Sequence, residues 1–191
     1  MRVLKLHKSF TAGLFVACAA LTACSGGSSQ DHSMHGQNAG GDQAGGGMPM
    51  NMGDPNATPA KDVAGAQLRS GAFTLLPTRP PGHEQAAGTA WLAIHPGGTT
   101  ATLEMTGLAP GTKYMAHLHA KPCSEEDGGG HFQFDPAGPE MPPNEIHLGF
   151  AADAGGRGFM TAENEKPAEA AKSLVVHPAE FSDNRIACAD L

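Results

Sequence analysis

The sequence predicts an all-β fold, an eight-stranded Greek-key β-barrel or sandwich. Composition is the first reason: the 191 residues include 26 Gly and 15 Pro but only 5% aromatic residues, which is typical of a loop-rich β protein. Short apolar runs also recur between turn signals from residue 63 onward. One of them, residues 99–108, alternates between apolar and polar side chains. Short strands punctuated in this way indicate a Greek-key arrangement.

The predicted strands follow one another along the chain. They occupy residues 66–76, 89–95, 99–108, 112–120, 148–152, 158–162, 173–177 and 185–189. In the third, Ala101, Leu103 and Met105 share one face and polar residues the other, which marks a half-buried strand. Residues 109–111, Ala-Pro-Gly, form a tight turn, because Pro fixes φ and Gly allows a positive φ. One helical turn is predicted at 167–172, with Pro at its start.

Residues 1–23 resemble a bacterial lipoprotein signal peptide. Cations precede an apolar stretch at 10–23, which is too short to span a bilayer, since a span takes about 20 apolar residues. The stretch ends in Leu-Thr-Ala-Cys, which resembles a lipobox, and Cys24 would then become the lipid-modified N-terminus. We therefore expect an exported protein that is anchored to the cell membrane through Cys24 and is extracytoplasmic, either periplasmic or at the cell surface. A plain secretory signal and a poorer lipobox ending at Cys18 are the alternatives.

The rest of the chain divides into a linker and a domain. Residues 24–62 are rich in Ser, Gly, Gln, Asn, Asp and Met, and they cannot bury enough apolar surface to fold, so we predict a disordered tether. The folded domain is predicted at 63–191. The formal net charge is −7 and basic residues do not cluster, which argues against nucleic-acid binding. The sequence makes no prediction of oligomeric state.

The cysteines predict one disulfide. Cys18 lies in the segment that would be removed and Cys24 would carry lipid, which leaves Cys123 and Cys188 in an oxidising compartment. Their bond would tie a mid-chain loop to the last strand and stabilise the fold by roughly 4 kcal/mol. Two free buried thiols are the alternative.

Histidines form the chemically informative pattern. His117 and His119 lie in one predicted strand, where a period of two places both imidazoles on the same face as half of a metal site. His131 follows a Gly run in a long loop at 121–146, and His177 ends an apolar strand. A loop of that length in a compact domain is usually functional or disordered.

Five ordered elements resemble the copper/zinc superoxide dismutase family. They are His-Leu-His at 117–119, Cys123, Gly-Gly-His-Phe at 129–132, Ser-Leu-Val-Val-His at 173–177 and Arg-Ile-Ala-Cys at 185–188. The resemblance covers about residues 66–191, and it implies the eight-stranded Greek-key barrel of that family.

The resemblance also implies a role for each matching position. It implies one copper ion bound by four histidines: His117, His119, His131 and His177. His131 would be the ligand that bridges to zinc in the complete family, and it would leave copper on reduction and deliver a proton. Arg185 would lie beside the copper and attract superoxide. Cys123 and Cys188 would form the family's intrasubunit disulfide.

Two departures from the family predict a copper site without zinc. Residues 132–150 contain only one histidine, His147, and Phe150 replaces the zinc aspartate, so a four-ligand zinc shell is not available. Glu140, Asp135 or Glu145 could assist a weak zinc site, and Glu140 or Glu145 could orient His131 instead. His147 is otherwise expected to be a surface residue or a support for the ligands. Residues 178–184 are also too short to hold the family's charged guiding loop, which resembles the copper-only branch.

These observations predict a copper-dependent superoxide dismutase, an antioxidant oxidoreductase that converts superoxide to O₂ and H₂O₂ at the cell envelope. The alternatives are a non-enzymatic copper-binding or buffering lipoprotein and a degenerate barrel without metal. The linker bears on the first alternative, because thioether and imidazole groups suit copper. Its soft donors are His32, Met34, His35, Met48, Met50 and Met52. They are interpreted either as a copper-capture segment or as polar filler.

Overall fold

A computed structural model describes residues 52–191. In this part of the chain, two antiparallel sheets have the strand orders β1-β3-β4-β7 and β2-β9-β8-β5-β6. The strands are β1 (Gln67–Ala72), β2 (Thr74–Leu75), β3 (Ala87–His95), β4 (Gly98–Thr106), β5 (Lys113–His119), β6 (His147–Ala151), β7 (Gly158–Asn164), β8 (Ser173–Pro178) and β9 (Ala187–Asp190). The all-β prediction is confirmed. No helix among these residues is long and apolar enough to cross a membrane.

Of the two predicted architectures, the sandwich is the one observed, since the two sheets of the described residues stay separate. The structure differs from the predicted elements in two places, the first strand and the helical turn. The first predicted strand, 66–76, is two strands, because β1 pairs with β3 in one sheet and β2 pairs with β9 in the other. The chain therefore changes sheets at Phe73, and nine strands replace the predicted eight. The predicted helical turn at 167–172 is instead a turn closed by Ala171 N–H donating to the Ala168 carbonyl, at 3.2 Å.

Strand β5 separates the core from the face that carries the histidines. Tyr114, Ala116 and Leu118 point between the sheets and are almost completely buried. Residues 115, 117 and 119 point to the opposite face, because side chains alternate along a strand. The same alternation that places apolar side chains of β5 in the core therefore places its two imidazoles on the opposite face.

The first half of the polar face of β4 is buried rather than exposed to solvent. Thr100 and Thr102 are at most 1% exposed, so the expectation of a half-buried strand was wrong there, whereas Glu104 is half-buried and Thr106 is exposed. The cover is the segment that precedes the first strand. Ala60 N–H donates to Oγ1 of Thr102 at 2.9 Å, and Lys61 Nζ lies 2.7 Å from a carboxylate oxygen of Glu104.

The ordered domain extends N-terminal to the predicted boundary at residue 63. Gly149 N–H of β6 donates to the Met52 carbonyl at 2.8 Å, and Asp54 N–H donates to the Thr161 carbonyl of β7 at 2.7 Å. Residues 52–54 thus join an edge strand of one sheet to an edge strand of the other. Residues 52–62, predicted as part of the disordered linker, belong to the fold. The rest of that linker and the predicted signal, with Cys18 and Cys24, lie outside the described residues.

The long loop between β5 and β6 is tied to the last strand. Cys123 and Cys188 form a disulfide with a Cα–Cα distance of 5.7 Å, which confirms the predicted pairing. Cys123 N–H also donates to Oδ1 of Asp190 at 2.7 Å. These bonds hold the loop that carries His131 against β9.

Candidate metal centre

Three strands and one loop bring five histidines together. His117 and His119 come from β5, His147 from β6 and His177 from β8, and the register places His117 directly opposite His147. His131 comes from the long loop, where its backbone forms a single bridge with His119. The four histidines predicted as ligands are therefore neighbours, and His147 joins them.

The ring separations are those of a compact cluster. The centroid of His117 lies 4.0 Å from that of His131, 5.1 Å from that of His177 and 6.5 Å from that of His119. Nδ1 of His117 lies 3.2 Å from Nε2 of His177. Two nitrogens bound tetrahedrally at about 2.0 Å from one ion would be about 3.3 Å apart. The pair already has the spacing of two ligands of a single metal ion.

Hydrogen bonds to the protein leave other ring nitrogens available for a metal. The Gly129 carbonyl accepts a hydrogen bond from Nδ1 of His119 at 3.0 Å, and the Pro178 carbonyl accepts one from Nδ1 of His177 at 2.8 Å. Because a carbonyl only accepts, Nε2 of each ring carries the lone pair. Nε2 of His119 is buried and has no hydrogen-bond partner among the described residues. A buried polar atom left unpaired is costly, and a bound metal would satisfy it.

The buried histidines stay neutral at neutral pH. Burial, followed by the nearby imidazole of His131, lowers the pKa of His119 to about 3 and lowers that of His117 further. Burial also lowers the pKa of His177 and His147, although the hydrogen bonds to the Pro178 carbonyl and to Glu145 partly oppose it. Neutral imidazole is the form that binds metals.

Glu145 is the carboxylate that supports the cluster. It is 1% exposed, and its Oε2 accepts hydrogen bonds from Nδ1 of His131 at 2.9 Å and from Nε2 of His147 at 2.8 Å. Oε1 accepts a third bond from Nε2 of Gln133 at 3.1 Å. Burial alone would raise the pKa of Glu145, but the bonds from His147 and His131 outweigh it and lower the pKa. The ionised carboxylate thus fixes the proton of His131 on Nδ1 and leaves Nε2 for a metal.

The structure distinguishes between the two carboxylates named from the sequence as supports for His131. Glu140 is exposed and makes no hydrogen bond to the cluster among the described residues. The expectation that Glu140 serves the site is therefore wrong, because the loop turns it outward. His147 is not a surface residue, since its side chain is only 12% exposed. Gln133 was not foreseen, and no motif in the sequence marks it.

A second grouping of histidines overlaps the first. Ring nitrogens of His117, His131 and His147 lie within 4.8 Å of one another, which is compatible with a metal site. The set with His119 and His177 is favoured, because the buried Nε2 of His119 has no hydrogen-bond partner in the described part of the chain and a metal would satisfy it. Glu145 also bonds His131 and His147 of this second group.

Arg185 lies one carbonyl group away from the cluster. Its guanidinium donates to the carbonyls of Glu126, Asp127 and Gly129 at 2.9 to 3.0 Å, and the Gly129 carbonyl also accepts from His119. Glu126 and Asp127 have φ angles of 51° and 54°, a left-handed backbone that is unusual outside glycine. Arg185 thus holds a strained part of the loop beside a predicted ligand.

The surface pocket next to Arg185 carries acidic side chains as well as the arginine. A pocket of about 440 Å³ is lined by Arg185 together with three acidic residues, Glu126, Asp127 and Asp183. A small anion that approached the arginine there would also meet these carboxylates. This weakens the electrostatic attraction expected from the arginine alone.

The fold and the site define the class: an all-β sandwich of two antiparallel sheets with a buried histidine cluster compatible with a metal ion. Among solved structures, the chain is similar to the Cu/Zn superoxide dismutase from Brucella abortus. The two share 25% identity over 65% of this chain and 99% of that one, with a TM-score of 0.48. At this distance the likeness does not assign a function. No family model and no curated protein matches the chain.

Proposed function

We propose that the domain binds one copper ion through His117, His119, His131 and His177 and disproportionates superoxide. The observation that carries the proposal is the buried Nε2 of His119, which has no partner among the described residues and lies in a cluster of neutral imidazoles. The match of the five sequence elements supports copper as the metal. Imidazole ligands suit copper, and the group of His117, His131 and His147 among the described residues is one ligand short of the four that zinc takes.

Copper in this site would supply the one-electron oxidation and reduction that convert superoxide to O₂ and H₂O₂. His131 would hold and move the proton, because its side chain is 33% exposed while its three partners are at most 5% exposed. Glu145 would keep the ring of His131 oriented by its bond to Nδ1. Arg185 would contribute a fixed positive charge near the cluster.

The test uses purified protein loaded with one equivalent of copper and measures superoxide decay in a stopped-flow instrument. The wild type should exceed the same amount of copper in buffer, and His177→Ala should bind copper at least roughly tenfold more weakly. The control is His95→Gln, because His95 lies outside the cluster and bonds Oγ1 of Thr100. Decay no faster than the free-copper background would refute the dismutase. An unchanged copper EPR spectrum in His177→Ala would refute the ligand set.

A non-enzymatic copper-binding protein is the second candidate. The carboxylates of Glu126, Asp127 and Asp183 around Arg185 favour it, since they counteract the attraction of a small anion. Tight copper binding without superoxide decay in the same experiment would identify this function.

We further propose that the protein is exported and anchored to the membrane at Cys24, with residues 1–23 removed. The lipobox-like sequence supports this. Mass spectrometry of the mature N-terminus should find a diacylated cysteine, and Cys24→Ser should abolish it. A mature chain that retains residues before Cys24, or carries no lipid, would exclude the anchor.

A further inference from the structure

Two methionines lie at the rim of the histidine cluster. Met115 shares a face of β5 with His117, because the two are separated by one residue along the strand. Its Cα partners are His177 on β8 and Gly149 on β6. Directly opposite side chains on neighbouring strands are about 5 Å apart at Cβ. The thioether of Met115 is thus next to a predicted copper ligand.

Met52 completes a methionine pair with Met115. A Cβ atom built on Gly149 would stand 3.3 Å from Cε and 3.7 Å from Sδ of Met115, and 3.3 Å from Cβ of Met52. Both side chains therefore meet above the one residue of β6 that has no side chain of its own. The hydrogen bond from Gly149 N–H to the Met52 carbonyl holds the second methionine there.

The pair differs from the methionines that build the core. Met105 and Met160 are at most 9% exposed and lie in the hydrophobic cluster between the sheets. Met52 and Met115 are only half-buried and face the side of the sheet that carries the histidines. A thioether is a soft ligand without a proton to lose, which suits copper(I) and not harder cations.

We propose that Met52 and Met115 form a loading site that receives copper(I) and passes it to the four histidines through His177. This inference rests on the proposed copper site, and it adds that copper enters this site as copper(I). Met52 also ends the methionine-rich segment that contains Met48 and Met50, which lie outside the described residues. Thioether ligands would thus follow one another along the chain from Met48 to Met52, which lies at the rim of the cluster.

The first test follows copper loading of the full chain. Copper is supplied either as a copper(I)–chelator complex or as copper(II), and the rise in histidine-bound metal is followed over time. Met115→Leu and Met52→Leu keep the volume and remove the sulfur, so loading from copper(I) should slow by about tenfold, the effect of losing a supporting ligand group. Loading from copper(II) and the final occupancy should not change. Met141→Leu is the control, since Met141 is 45% exposed and outside the cluster.

The second test does not require the histidine site to be catalytic. Silver(I), a redox-inert substitute for copper(I), is titrated into protein with ¹³C-labelled methionine methyl groups. The methyl signals of Met52 and Met115 should shift together, while those of Met105 and Met160 should stay. Equal copper(I) loading rates in the variants and the control, or methyl signals of the pair that do not move, would overturn the loading site. A protein that shows these shifts but no superoxide decay would retain the loading site and lose the dismutase.

Discussion

The buried carboxylate of Glu145 accepts a hydrogen bond from His131, with 2.9 Å between Oε2 and Nδ1. The same oxygen lies 2.8 Å from Nε2 of His147, so one negative charge holds two imidazoles in place. The bond decides which nitrogen of His131 faces a metal.

Removing this charge should weaken copper binding. Glu145→Gln replaces one of the two accepting carboxylate oxygens by an NH₂ group, which only donates. The three hydrogen bonds from His131, His147 and Gln133 therefore cannot all persist in their present form. The copper dissociation constant should rise by about 10- to 100-fold, as measured by competition with a chelator. Glu140→Gln is the matched control, because Glu140 is exposed. Equal affinities in the two variants would mean that Glu145 does not position His131.

The metal-free protein should lose stability as the pH falls below about 6.5. Unfolded histidine binds a proton near that pH, whereas burial lowers the pKa of folded His119 to about 3. Between these values the unfolded state binds more protons, so the free energy of unfolding decreases as the pH decreases. Urea denaturation at pH 7 and pH 5 measures the difference. His119→Gln should reduce this dependence, and an identical dependence in the variant would contradict the assignment.

Arg185 should matter for the loop as well as for charge. Arg185→Lys keeps the positive charge but loses the fork that binds three carbonyls. We expect faster amide hydrogen exchange at residues 126–130 in Arg185→Lys, and superoxide decay reduced by about tenfold in Arg185→Ala. Arg69→Lys is the control, since Arg69 binds the carbonyls of Glu169 and Ala171 away from the cluster. Unchanged exchange in Arg185→Lys would show that the loop does not depend on the guanidinium.

The disulfide should contribute to stability and to metal binding together. Cys123 and Cys188 are 65 residues apart in sequence, and a closed loop of that size stabilises by about 4 kcal/mol in the chain-entropy model. The double Ser variant should unfold at lower urea concentration and bind copper more weakly, because the loop that carries His131 is released. Urea denaturation and chelator competition measure the two effects. A loss of stability below about 1 kcal/mol would rule out this anchoring.

Much of the fold and part of the site could be predicted from local patterns. The alternation along 99–108 and the spacing of His117 and His119 specify faces, because side chains alternate along a strand wherever it pairs. The pairing of Cys123 with Cys188 was predicted from the count of cysteines, once Cys18 was assigned to the predicted signal and Cys24 to lipid attachment. The division of the first strand at Phe73 was missed, because the two halves differ only in which sheet they join.

The sequence by itself determined the strand class, the shared face of the His-x-His pair and the cysteine partners, since each depends on local periodicity or on composition. Only the tertiary structure decided that Glu145 and not Glu140 supports His131, that His147 joins the cluster, and that Met52 lies above Gly149 beside Met115. These relationships join residues on different strands and loops. They depend on sheet register and on the path of a loop tied by a distant disulfide, which no spacing along the chain encodes.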